Sequence, residues 1–209
     1  MPTALITGAG RGLGKELARQ YAADGWEVIG TMRRQLEMTD RAQISGFAKQ
    51  LKGKPIDLLF CNAGIVGKRG MKPGSFDFDS WEEVLRVNLL GPAALADALL
   101  DNVAASERRI IAMMSSRLGS ISESTGMTLP YASSKAALNM LVKGLAAHLA
   151  RRAVIVVALS PGWVRTDMGG AQAPLTPEVS VSGLRKVIDK LKSTDSGRFL
   201  SYDGAEIPW

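Results

Sequence analysis

The chain has 209 residues, with 26 lysine and arginine residues against 20 aspartate and glutamate residues, and a net charge of +6 at pH 7. This is the length of one globular domain with a sizeable core, so we expect residues 1–209 to form a single domain. An ordinary apolar fraction of 46% argues against low-complexity disorder, and a single cysteine, Cys61, excludes a disulfide scaffold.

Membrane, nucleic-acid and metal functions find little support in the sequence. No apolar run reaches the roughly 18 residues of a membrane span, and the first residues lack a basic region and a cleavage site, so a cytoplasmic protein with no membrane partner is expected. The pI is about 9.6, but the paired arginines are dispersed without interleaved aromatic residues, so no nucleic-acid partner is expected. The only histidine, His148, has no cluster of ligands around it, so no metal site is expected.

Short apolar runs alternate with helical patterns along the chain. The runs resemble strands buried on both faces, and the segments between them carry apolar residues at spacings of three and four. Candidate strands are residues 4–7, 28–31, 56–61, 110–114, 154–159 and 198–202, and candidate helices are residues 14–23, 40–51, 81–104, 131–150 and 177–191. The alternation predicts an α/β fold, a doubly wound parallel sheet of the Rossmann type with helices on both faces.

One connection departs from this regular pattern. The strand at 28–31 is followed almost at once by Gln35-Leu36-Glu37-Met38, a second extended segment. A parallel strand normally needs a dozen or more residues to return to its sheet. Too few residues therefore separate the two extended segments for a crossover helix to lie between them.

A glycine-rich segment, Thr7-Gly8-Ala9-Gly10-Arg11-Gly12-Leu13-Gly14, joins the first strand to the first helix. Glycines here let backbone amides approach a pyrophosphate at the positive end of a helix. The segment fits T-G-x-x-x-G-x-G and fails G-x-G-x-x-G in every register. A glycine-rich turn without a ligand is the alternative.

The end of the second strand favours NADP(H) over NAD. An acidic residue for the ribose of NAD is expected there, but the residues are Thr31-Met32-Arg33-Arg34. Arg33 would meet a 2′-phosphate, and Arg11 lies on the same side, so two guanidinium groups could clamp the dianion. The alternative is that Arg33 and Arg34 only solvate a strand end.

Tyr131-Ala132-Ser133-Ser134-Lys135 places a phenol and an ammonium group four residues apart, on one face at the start of a helix. Such a cation is expected to depress the pKa of the phenol and fit it for acid-base chemistry. The pattern is common, and an amphipathic helix whose tyrosine packs on the core is the alternative.

Two further polar positions join this candidate site. Ser115-Ser116 follows a buried strand at the edge where doubly wound folds bind ligands, so Ser116 could donate a hydrogen bond to a substrate carbonyl, or both serines could simply terminate the strand. Asn88 stands four residues before Pro92, which lacks an amide proton, so the carbonyl of Asn88 is free to hold a water molecule. A plain proline kink is the alternative.

Together these segments resemble the short-chain dehydrogenase/reductase family, closest to NADPH-dependent carbonyl reductases and the related C-factor-like branch. Supporting segments are Asn62-Ala63-Gly64, after the strand at 56–61 that is the fourth of the family pattern, and Pro161-Gly162-Trp163-Val164-Arg165-Thr166-Asp167. The resemblance implies that Tyr131 is the general acid, Lys135 binds the nicotinamide ribose, Ser116 polarises the carbonyl and Asn88 anchors a relay water.

The resemblance also implies a set of cofactor contacts. Asn62, Ala63 and Gly64 would flank the adenosine ribose, and Glu37 would contact adenine. By comparison with the family, the crossover helix between the second and third strands is shortened or missing, and the third strand is either lost or pairs irregularly at the sheet edge. The nicotinamide end would be lined by Pro161, Gly162, Val164 and Thr166, with Thr166 reaching the carboxamide.

The expected function is NADPH-dependent reduction of an aldehyde or ketone, a small-molecule carbonyl substrate, to an alcohol. Two alternatives stay open: a non-catalytic NADP(H)-binding sensor or signalling protein, and an NAD-dependent alcohol dehydrogenase on the same scaffold. Helices 81–104 and 131–150 form dimer surfaces in relatives, so a homodimer is expected.

Overall fold

Six parallel strands form one sheet at the centre of the protein, which is seen here as a computed structural model that describes residues 1–209. The strands are β1 (Thr3–Thr7), β2 (Glu27–Thr31), β3 (Leu58–Cys61), β4 (Ile110–Met114), β5 (Ile155–Ser160) and β6 (Phe199–Ser201). Their order across the sheet is β2-β1-β3-β4-β5-β6. Every residue of β1, β3 and β4 is buried, which explains why these strands are continuous apolar runs in the sequence.

Seven α-helices cover the two faces of the sheet. They are α1 (Gly12–Ala23), α2 (Arg41–Gln50), α3 (Phe78–Leu85), α4 (Gly91–Ala98), α5 (Leu100–Ala104), α6 (Leu129–Leu149) and α7 (Pro177–Lys190). One buried cluster packs α2, α4 and α6 against the sheet, and a second packs α1 and α7 against the opposite face. The predicted doubly wound α/β architecture is confirmed.

The third strand of the expected pattern is lost. Residues 33–35 form a turn directly after β2, and Gln35-Leu36-Glu37-Met38 pairs with no strand, so β2 is the edge of the sheet. Leu36 and Met38 are instead buried in the core on the α2 side. The alternative that this segment pairs irregularly at the sheet edge is therefore wrong. Because one strand is lost, Asn62-Ala63-Gly64 follows the third strand of the sheet and not a fourth.

The predicted helix at 81–104 is three helices with a π-helical turn, Arg86–Leu90, inside the first junction. In this turn the amide of Gly91 donates to the carbonyl of Arg86, five residues back. The wider turn directly precedes Pro92, which has no amide proton of its own to donate. The prediction of one continuous helix at 81–104 is therefore wrong. The spacing of apolar residues is the same in a continuous helix and in an interrupted one, so the sequence pattern did not show the interruption.

The strand order reverses between β1 and β3, since β2 lies on one side of β1 and the rest of the sheet on the other. In doubly wound folds a crevice opens at such a point, at the carboxyl ends of the strands. None of the helices combines the length and hydropathy needed to cross a bilayer.

Candidate active site

The loop between β1 and α1 is a backbone cradle. Gly8 and Gly12 have φ angles of 70° and 51°, which glycine adopts without strain. A Cβ atom on Gly14 would lie 2.1 Å from the carbonyl oxygen of Gly8, so only glycine allows this approach. No side chain caps the first turn of α1, whose N-cap is Arg11. Its amides face outward at the positive end of a helix, which fits a pyrophosphate group.

Asn62 and Ala63 are hydrogen-bonded to the start of this cradle. Their backbone amides each donate to Oγ1 of Thr7 at 3.0 Å, and Nδ2 of Asn62 donates to the carbonyl of Thr7 at 2.9 Å. A Cβ on the next residue, Gly64, would lie 3.2 Å from Oδ1 of Asn88 and 3.6 Å from Nζ of Lys135. The turn at 62–64 therefore connects the cradle to the Lys135 region.

Arg33 extends into solvent at the end of β2, with its side chain 75% exposed. Its Nε donates to Oε2 of Glu37 at 2.6 Å, and Glu83 of α3 lies 3.9 Å away. Oε1 of Glu37 also accepts from Thr39. Burial alone would raise the pKa of Glu37, but the hydrogen bonds from Arg33 and Thr39 prevail and lower it. Arg11, the second predicted clamp, pairs with Asp167 at 3.1 Å, both exposed.

Tyr131 lies in the first turn of α6, where Pro130 occupies an early helical position without losing a needed hydrogen bond. Lys135 is buried one turn later, with Nζ 5.5 Å from the centre of the Tyr131 ring and 2.8 Å from the carbonyl of Met114, to which it donates. The predicted placement of both groups on one helix face is therefore observed.

The expected depression of the Tyr131 pKa by Lys135 is wrong for the polypeptide by itself. Burial raises the pKa of Tyr131 to about 12, although the Ser116 hydroxyl works in the opposite direction. Burial likewise lowers the pKa of Lys135 to about 8. The reason is that loss of water disfavours the charged form of each group, and neither the hydrogen bond from Ser116 to Tyr131 nor the interaction of Lys135 with Cys61 offsets it.

The two serines after β4 have different environments. Oγ of Ser115 is buried and donates to Oδ1 of Asn139 in α6 at 2.6 Å. Ser116 is half-buried and caps a single 3-10 turn, Arg117–Gly119, by accepting from the amide of Leu118 at 3.3 Å. Ser116 is thus the serine beside Tyr131, and its role as a donor to a substrate carbonyl stays a prediction.

Asn88 is fully buried, and its side-chain amide is fully engaged. Oδ1 accepts from the amide of Ile65, and Nδ2 donates to the carbonyl of Ile65 and to Oγ of Ser134 at 3.0 Å. Ser134 in turn donates to the carbonyl of Tyr131 at 2.7 Å. Sequence reasoning missed Ser134 and Asn139, because nothing in an amphipathic pattern reveals which buried polar residue meets which partner.

The segment after β5 reaches the cradle from the other side. Gly162 has a φ of 77°, and Val164 forms an isolated parallel bridge with Leu175. The methyl group of Thr166 lies 3.5 Å from the position that a Cβ on Gly12 would take. Pro161, half-buried, accepts from Oγ of Ser180 in α7. Thr166 therefore borders the cradle, while Pro161 and Val164 are held by α7 and by Leu175.

Comparison with known proteins places this architecture in a family. The family model described as short chain dehydrogenase matches residues 2–41 and 32–174, a range that contains every candidate site residue named above. The chain belongs to the short-chain dehydrogenase family. The resemblance found in the sequence is confirmed, and the protein is an oxidoreductase of this family.

Three relatives illustrate the range of short-chain dehydrogenases that it resembles. C-signal of Myxococcus xanthus is 39% identical over 164 residues, which cover 78% of this chain and 98% of that protein. The 1-hydroxy-2-glutathionyl-2-methyl-3-butene dehydrogenase of Rhodococcus is 30% identical over 230 residues, covering both chains completely. The crystal structure of NADPH-bound carbonyl reductase from chicken fatty liver has a TM-score of 0.89 at 29% identity, covering 100% of this chain and 99% of that one.

Proposed function

We propose that the protein reduces an aldehyde or ketone to an alcohol with NADPH. The observation that carries the proposal is the convergence of Tyr131, Ser116 and Lys135 at the edge of the sheet that also holds the glycine cradle. The carbonyl reductase with a TM-score of 0.89 is bound to NADPH, and this supports both the cofactor and the direction.

The residues of the crevice fit a dinucleotide. The cradle and the first amides of α1 would hold the pyrophosphate, residues 62–64 the adenosine ribose, and Lys135 the nicotinamide ribose. Pro161, Gly162, Val164 and Thr166 would line the nicotinamide end. NADPH, when bound, supplies the hydride for the carbonyl carbon.

Tyr131 is the general acid in this proposal. With a pKa of about 12, its phenol carries a proton throughout the neutral range and can donate it to the carbonyl oxygen. Ser116 supplies a second hydrogen bond to the developing oxyanion. Asn88 orients the first turn of α6 through Ser134 and, as the family resemblance implies, extends the proton path from Lys135 toward solvent.

The test is a titration with NADPH and NADH, followed by nicotinamide fluorescence, with a mixed panel of aldehydes and ketones then added. We expect NADPH to bind selectively and to be oxidised only when a carbonyl compound is present. Binding without oxidation across the panel would favour the non-catalytic sensor, and failure to bind either cofactor would contradict the proposal.

The general-acid role predicts the effect of Tyr131→Phe. This variant should lose at least about a hundredfold in turnover while it still binds NADPH, because only the transferable proton is removed. The matched control is Tyr21→Phe, which deletes a buried hydroxyl that has no hydrogen-bond partner. Near-normal turnover in Tyr131→Phe would contradict the role of Tyr131 as the general acid.

The cofactor preference is tested at the end of β2. Arg33→Ala should weaken NADPH binding about tenfold or more and NADH binding little, since charge-assisted bonds to the 2′-phosphate are lost. Arg34→Ala is the control, because Arg34 is exposed in the same turn and forms no ion pair. Equal losses for both cofactors in Arg33→Ala would contradict the 2′-phosphate assignment.

A second candidate function is NAD-dependent alcohol oxidation. The Rhodococcus dehydrogenase, aligned over the full length of the chain, favours it. The same Tyr131, Ser116 and Lys135 would serve, but Tyr131 would have to be deprotonated first, so that its phenolate accepts the proton of the alcohol. Tighter binding of NADH than of NADPH, with reduction of NAD by alcohols, would support this candidate over carbonyl reduction.

A further inference from the structure

The last residues of the chain form a strap along the free edge of β6. The chain turns at Asp203-Gly204, and residues 205–209 then run antiparallel to the strand. The amide of Ser201 donates to the carbonyl of Ala205, and that of Ile207 to the carbonyl of Phe199, both at 2.8 Å. Ile207 is buried in the same core as α6. The strap is therefore part of the folded domain.

Trp209 at the end of the strap makes three kinds of contact. Its ring stacks on Phe199 with the centroids 5.7 Å apart, and Nζ of Lys143 in α6 lies 5.7 Å from the ring centre. Its main-chain oxygen accepts from the amide of Ser122 at 3.0 Å and from Oγ of Ser122 at 2.9 Å. Ser120 is a third, longer donor at 3.5 Å.

Ser122 belongs to the loop that connects Ser116 to Tyr131. The near part of this loop, the turn at 117–119, is packed on α6: a Cβ on Gly119 would lie 2.8 Å from Cβ of Lys135. The far part, residues 121–128, is exposed, with Ile121 74% and Met127 60% exposed. We call residues 120–128 the substrate loop, because both of its ends lead into the proposed catalytic groups.

The hydrogen bonds of the substrate loop show what holds it. Most hydrogen bonds of residues 121–127 are local, with both partners between residues 116 and 131, and the ion pair of Arg117 with Glu123 is one of them. The exceptions are the two hydrogen bonds that Ser122 donates to Trp209. Trp209 therefore supplies the connection between the far part of the loop and the rest of the domain. A loop that is already ordered costs less entropy when a ligand binds against it.

We propose that Trp209 is a positioning residue that holds the substrate loop in place for the carbonyl compound. The proposal rests on the proposed function, since it assigns the loop to the substrate of that reaction. Trp209 does not touch the cradle, Arg33 or residues 62–64, so it acts on the substrate and not on NADPH.

The variant that tests this is Trp209→Ala, studied by amide hydrogen exchange and by steady-state kinetics. Removing the ring releases the end of the strap, so the amide of Ser122 should exchange about tenfold faster, as expected when one hydrogen bond of about 1.4 kcal/mol is lost. The KM for the carbonyl compound should rise by a similar factor, about tenfold. The turnover number and the Kd of NADPH should change by less than about twofold.

Two further variants separate positioning from a general loss of structure. Trp209→Phe keeps an aromatic ring to stack on Phe199 and should restore both exchange and KM. Ser122→Ala removes the hydroxyl, one of the two groups by which Ser122 donates to Trp209, without changing the strap, and should also raise KM, by a smaller factor. A rise in KM that follows only the fall in melting temperature across all three variants would overturn the proposal.

The remaining outcomes are decisive as well. Unchanged exchange at Ser122 in folded Trp209→Ala means that Trp209 does not hold the loop, and faster exchange with an unchanged KM means that the loop does not serve the substrate. Either result overturns the proposal. A wild-type protein that oxidises NADPH with no carbonyl compound contradicts the proposed function instead, and is recognised before any variant is made.

Discussion

At the residue scale, burial acts on both central titratable groups by favouring their neutral forms. It raises the pKa of Tyr131 to about 12 and lowers that of Lys135 to about 8. Tyr131 consequently keeps its proton over the range in which the enzyme would work. Lys135 is then the group of the pair whose charge changes near neutral pH.

This ordering predicts the pH dependence of carbonyl reduction. As pH rises through about 8, Lys135 loses its charge while Tyr131 stays protonated, so kcat/KM should fall with an apparent pKa near 8. The profile is measured by NADPH oxidation at saturating cofactor and limiting carbonyl compound. A fall centred near the ordinary pKa of tyrosine, about 10, would assign the titration to Tyr131 instead and contradict this order.

At the element scale, the loop after β1 depends on a close approach between backbone atoms. Gly14 passes the carbonyl of Gly8 so closely that any side chain would force the two apart. Gly46, inside α2, has open space where a Cβ would stand. The same residue type therefore has opposite roles at the two positions: Gly14 is required by a close backbone contact, and Gly46 is not.

Alanine substitutions at these glycines should have opposite effects. Gly14→Ala should lower the free energy of unfolding by about 1–3 kcal/mol and weaken NADPH binding, since the cradle must open to admit the methyl group. Gly46→Ala should raise the free energy of unfolding by up to about 1 kcal/mol, from helix propensity, and leave binding unchanged. Urea denaturation and NADPH fluorescence measure both quantities. Equal effects of the two substitutions would contradict the close approach.

At the scale of the whole molecule, α6 and the π-helical turn before α4 leave apolar side chains on the surface. Met140 of α6 is 71% exposed, and Leu90, directly before α4, is 46% exposed. Exposed apolar side chains on neighbouring helices are typical of an interface. We propose that two copies of the chain associate through these helices.

Light scattering on the purified protein should therefore give twice the chain mass of 22.3 kDa. Met140→Glu should shift the distribution toward the single-chain mass, because a charge would be buried without a partner. Lys15→Glu in α1, on the opposite face of the sheet, is the control that should not. A wild-type mass of 22.3 kDa at all concentrations would contradict the dimer.

The sequence by itself determined the layers of the fold, the loop Thr7–Gly14 and the shared helix face of Tyr131 and Lys135. These features depend on periodicity and on spacings of a few residues, which the chain carries locally. The choice of Ser116 over Ser115 followed from the resemblance to the family, and the buried bond of Ser115 to Asn139 is consistent with it.

Only the tertiary structure decided the features that depend on distant partners. The loss of the third strand, the π-helical turn before Pro92 and the high pKa of Tyr131 each follow from packing and burial among elements far apart in the chain. The contact of Trp209 with Ser122 joins residues 87 positions apart. Local patterns carry no information about such pairs, because desolvation and long-range contacts exist only once the chain has folded.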